Sequence, residues 1–225
     1  MSIEIGTIAV LGGTGHEGFG LALRWAAAGL DVIIGSRQQE KAEWAAMEIN
    51  QRLRREGVRG MENRAAAMTA NTIVLTVPYS AHVTMLEHVR DVIQGKVLID
   101  VTVPLRPPKV SHVWLPEGRS ATEEAQALLG PGVRVVCAFQ NVSAEHLQDP
   151  TYPVDCDVLV CGDDAIAKAI AIALAEKAGM RGLDAGPLQN AVVVEGLTPI
   201  LIGISRRYKI RGAGIRITGL NRQTG

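Results

Sequence analysis

The six residues Gly13-Thr14-Gly15-His16-Glu17-Gly18 constrain this chain more than any other segment. They fit G-x-G-x-x-G, a weak signal alone. Here an apolar run at 7–12 precedes them, a helical pattern at 15–28 follows, and a second apolar run at 31–35 closes the unit. That strand–turn–helix–strand order is the context in which the spacing marks a dinucleotide site. Gly13 is expected to make the tight turn, Gly15 to let a pyrophosphate approach the backbone, and Gly18 to bring helix and strand close. Amides at the start of a helix have no intrahelical acceptor, so they can face the phosphates.

The same alternation continues. Further strands are expected at 71–77, 96–100, 134–139 and 157–162, with helices at 38–56, 81–93, 165–178 and 190–208. Ser120 and Glu123 form a capping box that opens another helix running to 129. The proline-rich stretch 102–117 reads as irregular loop. Strands alternating with helices predict an α/β fold: a Rossmann-type doubly wound parallel sheet with a compact C-terminal α/β extension. Residues 1–145 are expected to form the dinucleotide-binding domain. Residues 146–225 should pack on it and contribute to a second-substrate pocket and an oligomer interface. The last helix is apolar over most of its circumference, so it must be buried in the core or against another subunit, most simply as a homodimer.

Composition removes several classes of function. Twenty-three basic residues balance twenty-three acidic ones in 225, which argues against nucleic-acid or anionic-membrane partners. The opening MSIEIGTIAV lacks a basic leader, and the apolar stretch 192–204 reads as too short for a membrane span and carries Glu195 and Pro199. Cys137, Cys156 and Cys161 show neither paired nor metal-type spacing, which suits free thiols in a reducing, cytoplasmic setting. His16, His82, His88, His112 and His146 have no metal-binding spacing either, so no metal is expected. Asp163-Asp164 stand before a helix and read as a cap.

The end of the second strand selects the nucleotide. An NAD site places an acid there for the ribose 2′-hydroxyl. This chain has Ser36-Arg37, with Lys41 one helical turn on, which attract a 2′-phosphate and favour NADP. Val77-Pro78-Tyr79 and Gln140-Asn141-Val142 each follow a strand at the edge of the sheet where ligands bind, flanking the nicotinamide half. No catalytic acid or base declares itself. That suits direct hydride transfer between two bound partners, where positioning is the main requirement.

With those residues in place, the chain resembles the NADPH-dependent reductases of the deazaflavin coenzyme F420. The resemblance rests on LGGTGHEGFGLALRWAAAG at 11–29, GSRQQEKA at 35–42, VCGDD at 160–164, LDAGPLQNAVVVEGLTPILIGISRRYK at 183–209 and AGIRITGL at 213–220. It implies a small cytoplasmic homo-oligomer that passes hydride between NADP(H) and coenzyme F420. Thr14 to Glu17 would hold the pyrophosphate, and Ser36, Arg37 and Lys41 the 2′-phosphate. Val77 and Ala144 would border the nicotinamide, and Thr198 would lie near the meeting of the two rings, with Gln140 and Val142 in the second-substrate pocket. Some relatives carry His, Arg and Ser where this chain has Gln140, Val192 and Gly196. The run Arg206, Arg207, Lys209, Arg211 and Arg216 is either a docking surface for an anionic tail or a solvated helix end. Two rival readings remain: an NADPH-dependent reductase of another flavin or of a small imine or carbonyl, which would want a proton donor in the pocket, and a non-catalytic NADP(H)-binding sensor.

Overall fold

A computed structural model describes residues 3–220. Its strands are β1 (Ile8–Leu11), β2 (Val32–Ser36), β3 (Arg59–Glu62), β4 (Thr72–Leu75), β5 (Val97–Asp100), β6 (Arg134–Cys137), β7 (Asp157–Gly162) and β8 (Arg181–Asp184). The helices are α1 (His16–Ala27), α2 (Gln39–Leu53), α3 (Asn63–Thr69), α4 (Tyr79–Val89), α5 (Ala121–Leu129), α6 (Ala144–Leu147), α7 (Ala165–Lys177) and α8 (Ala191–Tyr208). The strands form one sheet in the order β3-β2-β1-β4-β5-β6-β7-β8. All neighbours are parallel except β6 and β7. This is the expected doubly wound architecture, and its last two strands extend the same sheet.

Alternation along each strand builds two layers. Ile8, Val10, Val32, Ile34 and Val74 point into the layer filled by α1, α2 and α7. Ala9, Leu11, Ile33, Ile73 and Leu75 point into the layer filled by α3, α4 and α5. The chain winds outward from β1 to β3, then returns to place β4 on the other side of β1. That reversal opens a crevice beyond the carboxyl ends of β1 and β4, the usual ligand position in such sheets.

Both edge strands escape a reading based on apolar runs, for one shared reason. β3 is Arg-Gly-Met-Glu and β8 is Arg-Gly-Leu-Asp. A Cβ on Gly60 would lie 2.2 Å from the Glu43 amide nitrogen of α2, and one on Gly182 would lie 2.8 Å from Ile172 Cα of α7. Helix backbone rests directly on these glycines, so close packing takes the place of a long apolar side chain. The arginine beginning each strand pairs with an acid from its neighbour's side, Arg59 with Asp31 at 3.0 Å and Arg181 with Asp157 at 2.6 Å.

Two buried groups fasten the C-terminal segments to the elements before them. Arg24 on α1 donates to the carbonyls of Ala178 (3.0 Å), His146 (2.8 Å), Asp149 (2.6 Å) and Tyr152 (2.8 Å). Burial lowers the pKa of its guanidinium, and Asp149 works in the opposite sense. Glu195 on α8 accepts from the Ala121 amide (2.8 Å), the Thr122 amide (3.0 Å) and the Thr122 hydroxyl (2.7 Å) at the start of α5. Burial raises Glu195 to about 7, against those hydrogen bonds. Ser120 caps the same helix through the Glu123 amide, and Asp164 caps α7 through the Ala167 amide, both as expected.

The expectation that the last apolar stretch is too short for a membrane is corrected. The segment Leu188–Tyr208 is, by length and composition, long and apolar enough to cross one, because a 3-10 turn at Leu188–Asn190 runs into α8. Its packing is nevertheless one-sided: Ala191, Val194, Glu195, Pro199 and Leu201 are buried, while Val193 and Ile200 are exposed. The expectation of a helix buried all round therefore holds within this chain for one face only. Cys137, Cys156 and Cys161 are buried and unpaired.

Candidate functional site

The turn after β1 is built by a different glycine from the one the spacing suggests. Gly12, not Gly13, adopts the left-handed conformation, with φ +77°. Its amide donates to the buried Asn63 side chain at 3.2 Å. Gly13 is needed for space, since a Cβ there would lie 2.7 Å from the Val10 carbonyl oxygen. Gly18 lies close to the residue that follows β4: a Cβ would come 2.4 Å from Thr76 Oγ1 and 2.8 Å from Gly13 Cα. Gly15 differs from both. Its added Cβ would meet only the Gly12 carbonyl, at 3.4 Å, so this part of the turn opens outward. No side chain caps α1, whose first-turn amides are left for a ligand. An open glycine beside uncapped amides fits a pyrophosphate.

At the carboxyl end of the neighbouring strand β2, on the same edge of the sheet, Ser36 is buried with its hydroxyl accepting from the Gln38 amide at 3.3 Å. Arg37 and Lys41 are exposed, and among the described residues neither has an ion-pair partner. Lys41 borders a shallow depression with Thr14. The nearest strand offers a carboxylate, because Glu62 of β3 stands opposite Ser36. That carboxylate is already committed: it accepts from the Arg64 and Ala65 amides at the start of α3 and faces His88 at 3.3 Å. Beside Ser36, Arg37 and Lys41 are thus the charges left uncommitted.

A cleft of about 590 Å3 runs from Glu17 past 139–145 to α8. Gln140, Val142, Ala144 and Thr198 all line it, so the structure brings these expected residues together. Phe139 takes φ +75°, a left-handed conformation costly for a non-glycine side chain. Its ring is fixed edge-on against Trp25, with centroids 5.7 Å apart. The Val142 amide closes the turn on the Phe139 carbonyl at 3.0 Å, which presents Gln140 to the cleft. Thr198 donates its hydroxyl to the Gln140 carbonyl at 2.7 Å. Ala144 is tied to the phosphate turn through Gln148, whose amide donates to the His16 carbonyl (2.7 Å) and the Ala144 carbonyl (3.1 Å).

Behind this wall lies a buried polar cluster. Gln140 Nε2 donates to the Asp100 carbonyl at 2.6 Å. The Asp100 carboxylate accepts from the Thr102 amide at 2.9 Å and meets His82 Nε2 at 2.6 Å, with both side chains fully buried. Burial would lower the His82 pKa, but Asp100 outweighs it and the net direction is upward. The Thr102 hydroxyl in turn bonds the Val77 carbonyl at 3.4 Å. Val77 therefore abuts both sides of the site, since its Cγ1 would lie 2.9 Å from a Cβ on Gly12.

Pro78 and Tyr79 stand apart from the cleft lining. Pro78 precedes α4, and Tyr79 donates to Glu124 at 2.9 Å and lies edge-on to Trp114. Burial and that acceptor push the Tyr79 phenol up to about 12. The residue that sequence reasoning placed only as a backbone contact is Glu17. Its Oε1 is buried without a hydrogen-bond partner, and burial raises the carboxyl to about 8. The C-terminal cations divide: Arg206 lines the cleft, while Arg216 pairs with Asp155.

Comparison with known proteins identifies the family. Residues 7–104 match the family described as NADP oxidoreductase coenzyme F420-dependent. The F420-dependent NADP reductase of Methanothermobacter marburgensis is 48% identical over 95% of this chain and 98% of its own. That of Methanothermobacter thermautotrophicus is 44% identical over 99% of each. A solved protein from Arthrobacter sp. FB24, provisionally described as an F420-dependent NADP reductase, superposes with TM-score 0.78 at 27% identity, covering 95% of this chain and 99% of its own. At these identities over nearly the whole length, the chain belongs to the family of F420-dependent NADP reductases.

Proposed function

We propose that this cleft passes a hydride between NADP(H) and the deazaflavin coenzyme F420. The chain is an oxidoreductase, with both coenzymes as substrates. One observation carries the assignment to this site: a single cleft joins the outward-opening phosphate turn at Glu17 to Gln140, Val142, Ala144 and Thr198. When bound, the reduced nicotinamide supplies the hydride, and the oxidised deazaflavin takes it together with a proton.

The protein's contribution is placement. Thr14 to Gly18 and the uncapped start of α1 hold the pyrophosphate, while Ser36, Arg37 and Lys41 hold the 2′-phosphate. Val77 supports the nicotinamide side from the turn after β4 and Ala144 from α6, with Pro78 and Tyr79 at its margin. Gln140, Val142 and Thr198 form the wall of the second pocket, which is largely apolar around Val101, Val103, Leu201 and Ile202. An apolar wall excludes water and holds two flat rings in the close approach that hydride transfer needs. Arg206, with Arg207, Lys209 and Arg211 beyond it, offers positive charge at the cleft mouth for the anionic tail of the deazaflavin. The exposed Val193 and Ile200 on α8 are the surface through which two copies would pair as a homodimer, and the three free thiols suit a cytoplasmic setting.

The nucleotide half is tested by Arg37→Ala. Losing a charge-assisted hydrogen bond worth about 1.5–3 kcal/mol should weaken NADPH roughly 10- to 100-fold. NADH affinity should barely change. Fluorescence titration with both nucleotides reads this directly, and equal affinities in the unmodified protein would contradict the assignment.

A further inference from the structure

Glu17 is the second residue of α1, inside the phosphate-binding turn, and its side chain lines the cleft. The residue is half-buried, but its Oε1 is buried and no hydrogen bond satisfies it. A carboxylate in the first turn of a helix is normally favoured by the helix dipole. Burial overrides that preference here and pushes the group up to about 8. The charged and titratable neighbours do not alter this. His16 precedes it on the same helix, and Glu145 beside α6's start and Arg206 on α8 line the same cleft, yet burial is the sole cause of the shift. The remaining lining segments, 101–105, 139–143 and 210–213, bring no titratable side chain into the cleft.

An ionised carboxylate at this position would repel a nucleotide carrying three phosphates. A neutral carboxylic acid would instead offer an O–H donor, and that resolves the unsatisfied buried group. We propose that Glu17 meets NADP(H) as the neutral acid, its O–H donating to an acceptor of the dinucleotide, so that binding is coupled to a proton. This rests on the NADP(H) reading above and extends it from backbone contacts to a side chain. Protonated Glu17 binds and ionised Glu17 opposes, so affinity is full on the acid side of its titration and falls as pH rises through it.

The test uses the full-length protein and NADPH. Fluorescence titrations from about pH 7 to about pH 9.5 should show constant affinity at the acid end, then a fall approaching roughly tenfold per pH unit at the alkaline end. Glu17→Gln, which keeps the shape of the neutral acid, should bind with one affinity throughout. Calorimetry of the unmodified protein near pH 8, in two buffers of different ionisation enthalpy, should show uptake of about half a proton per NADPH. This second measurement needs no variant. No proton uptake, or the same pH profile in both proteins, would overturn the role of Glu17 while leaving the NADP(H) assignment standing. Failure of the unmodified protein to bind NADPH at any pH would overturn both.

Discussion

Thr198→Trp should cut turnover with the deazaflavin at least roughly 100-fold, because small displacements of reacting carbons already cost that much. The indole would project from α8 into a cleft of about 590 Å3 and fill the wall opposite Ala144. It would also remove the 2.7 Å hydrogen bond to the Gln140 carbonyl, loosening the turn that carries Gln140. NADPH affinity should stay within about twofold, since the proposed phosphate contacts lie on α1 and beyond β2 rather than on α8. Steady-state kinetics alongside NADPH fluorescence separates the two effects. An equal loss of NADPH affinity would mean that Thr198 borders the nucleotide and not the acceptor.

Arg24→Met should be the most destabilising of the changes considered. Methionine matches the stem but leaves the four carbonyls of Ala178, His146, Asp149 and Tyr152 without their donor. Buried acceptors left unpaired cost about 1–3 kcal/mol each, and water can reach some of these, so a loss of at least about 3 kcal/mol is expected. Urea denaturation should show a lower midpoint. The carbonyls belong to 146–152 and to the end of α7, so a second sign should be faster amide exchange there than in β1 or β4. A midpoint within the error of the unmodified protein would show that this clamp does not hold the C-terminal part in place.

The first strand–turn–helix–strand unit was legible in the sequence because its signals are local. The phosphate turn, the strand before it and the cations after β2 lie within 7–41, and each kind of residue acts close to where it stands. Even so, spacing alone gave the turn to Gly13, whereas the positive φ belongs to Gly12. The edge strands β3 and β8 escaped because glycine, pressed by a helix backbone, does there what an apolar run does elsewhere. The short helix α6 escaped because four residues carry no periodicity.

Long-range placement hid the rest. Glu17 reads only as one residue of the pyrophosphate turn, and the fold sets its side chain in a cleft with 139–145 and α8. His82 and Asp100 lie on different elements, and only the parallel pairing of β4 with β5 brings them under the cleft wall. The C-terminal helix showed its apolarity plainly. What the sequence could not display was that Glu195 would be spent on the start of α5, orienting Thr198 towards the cleft on the next turn.

The central claim is that hydride passes between NADP(H) and a deazaflavin across this cleft. Mixing the purified protein with NADPH and, separately, coenzyme F420, FMN or riboflavin tests it, with NADPH oxidation followed by stopped flow. The account predicts rapid oxidation with coenzyme F420 and little with either flavin. Rapid turnover with FMN or riboflavin and none with the deazaflavin would contradict it, as would NADPH binding followed by silence with every acceptor.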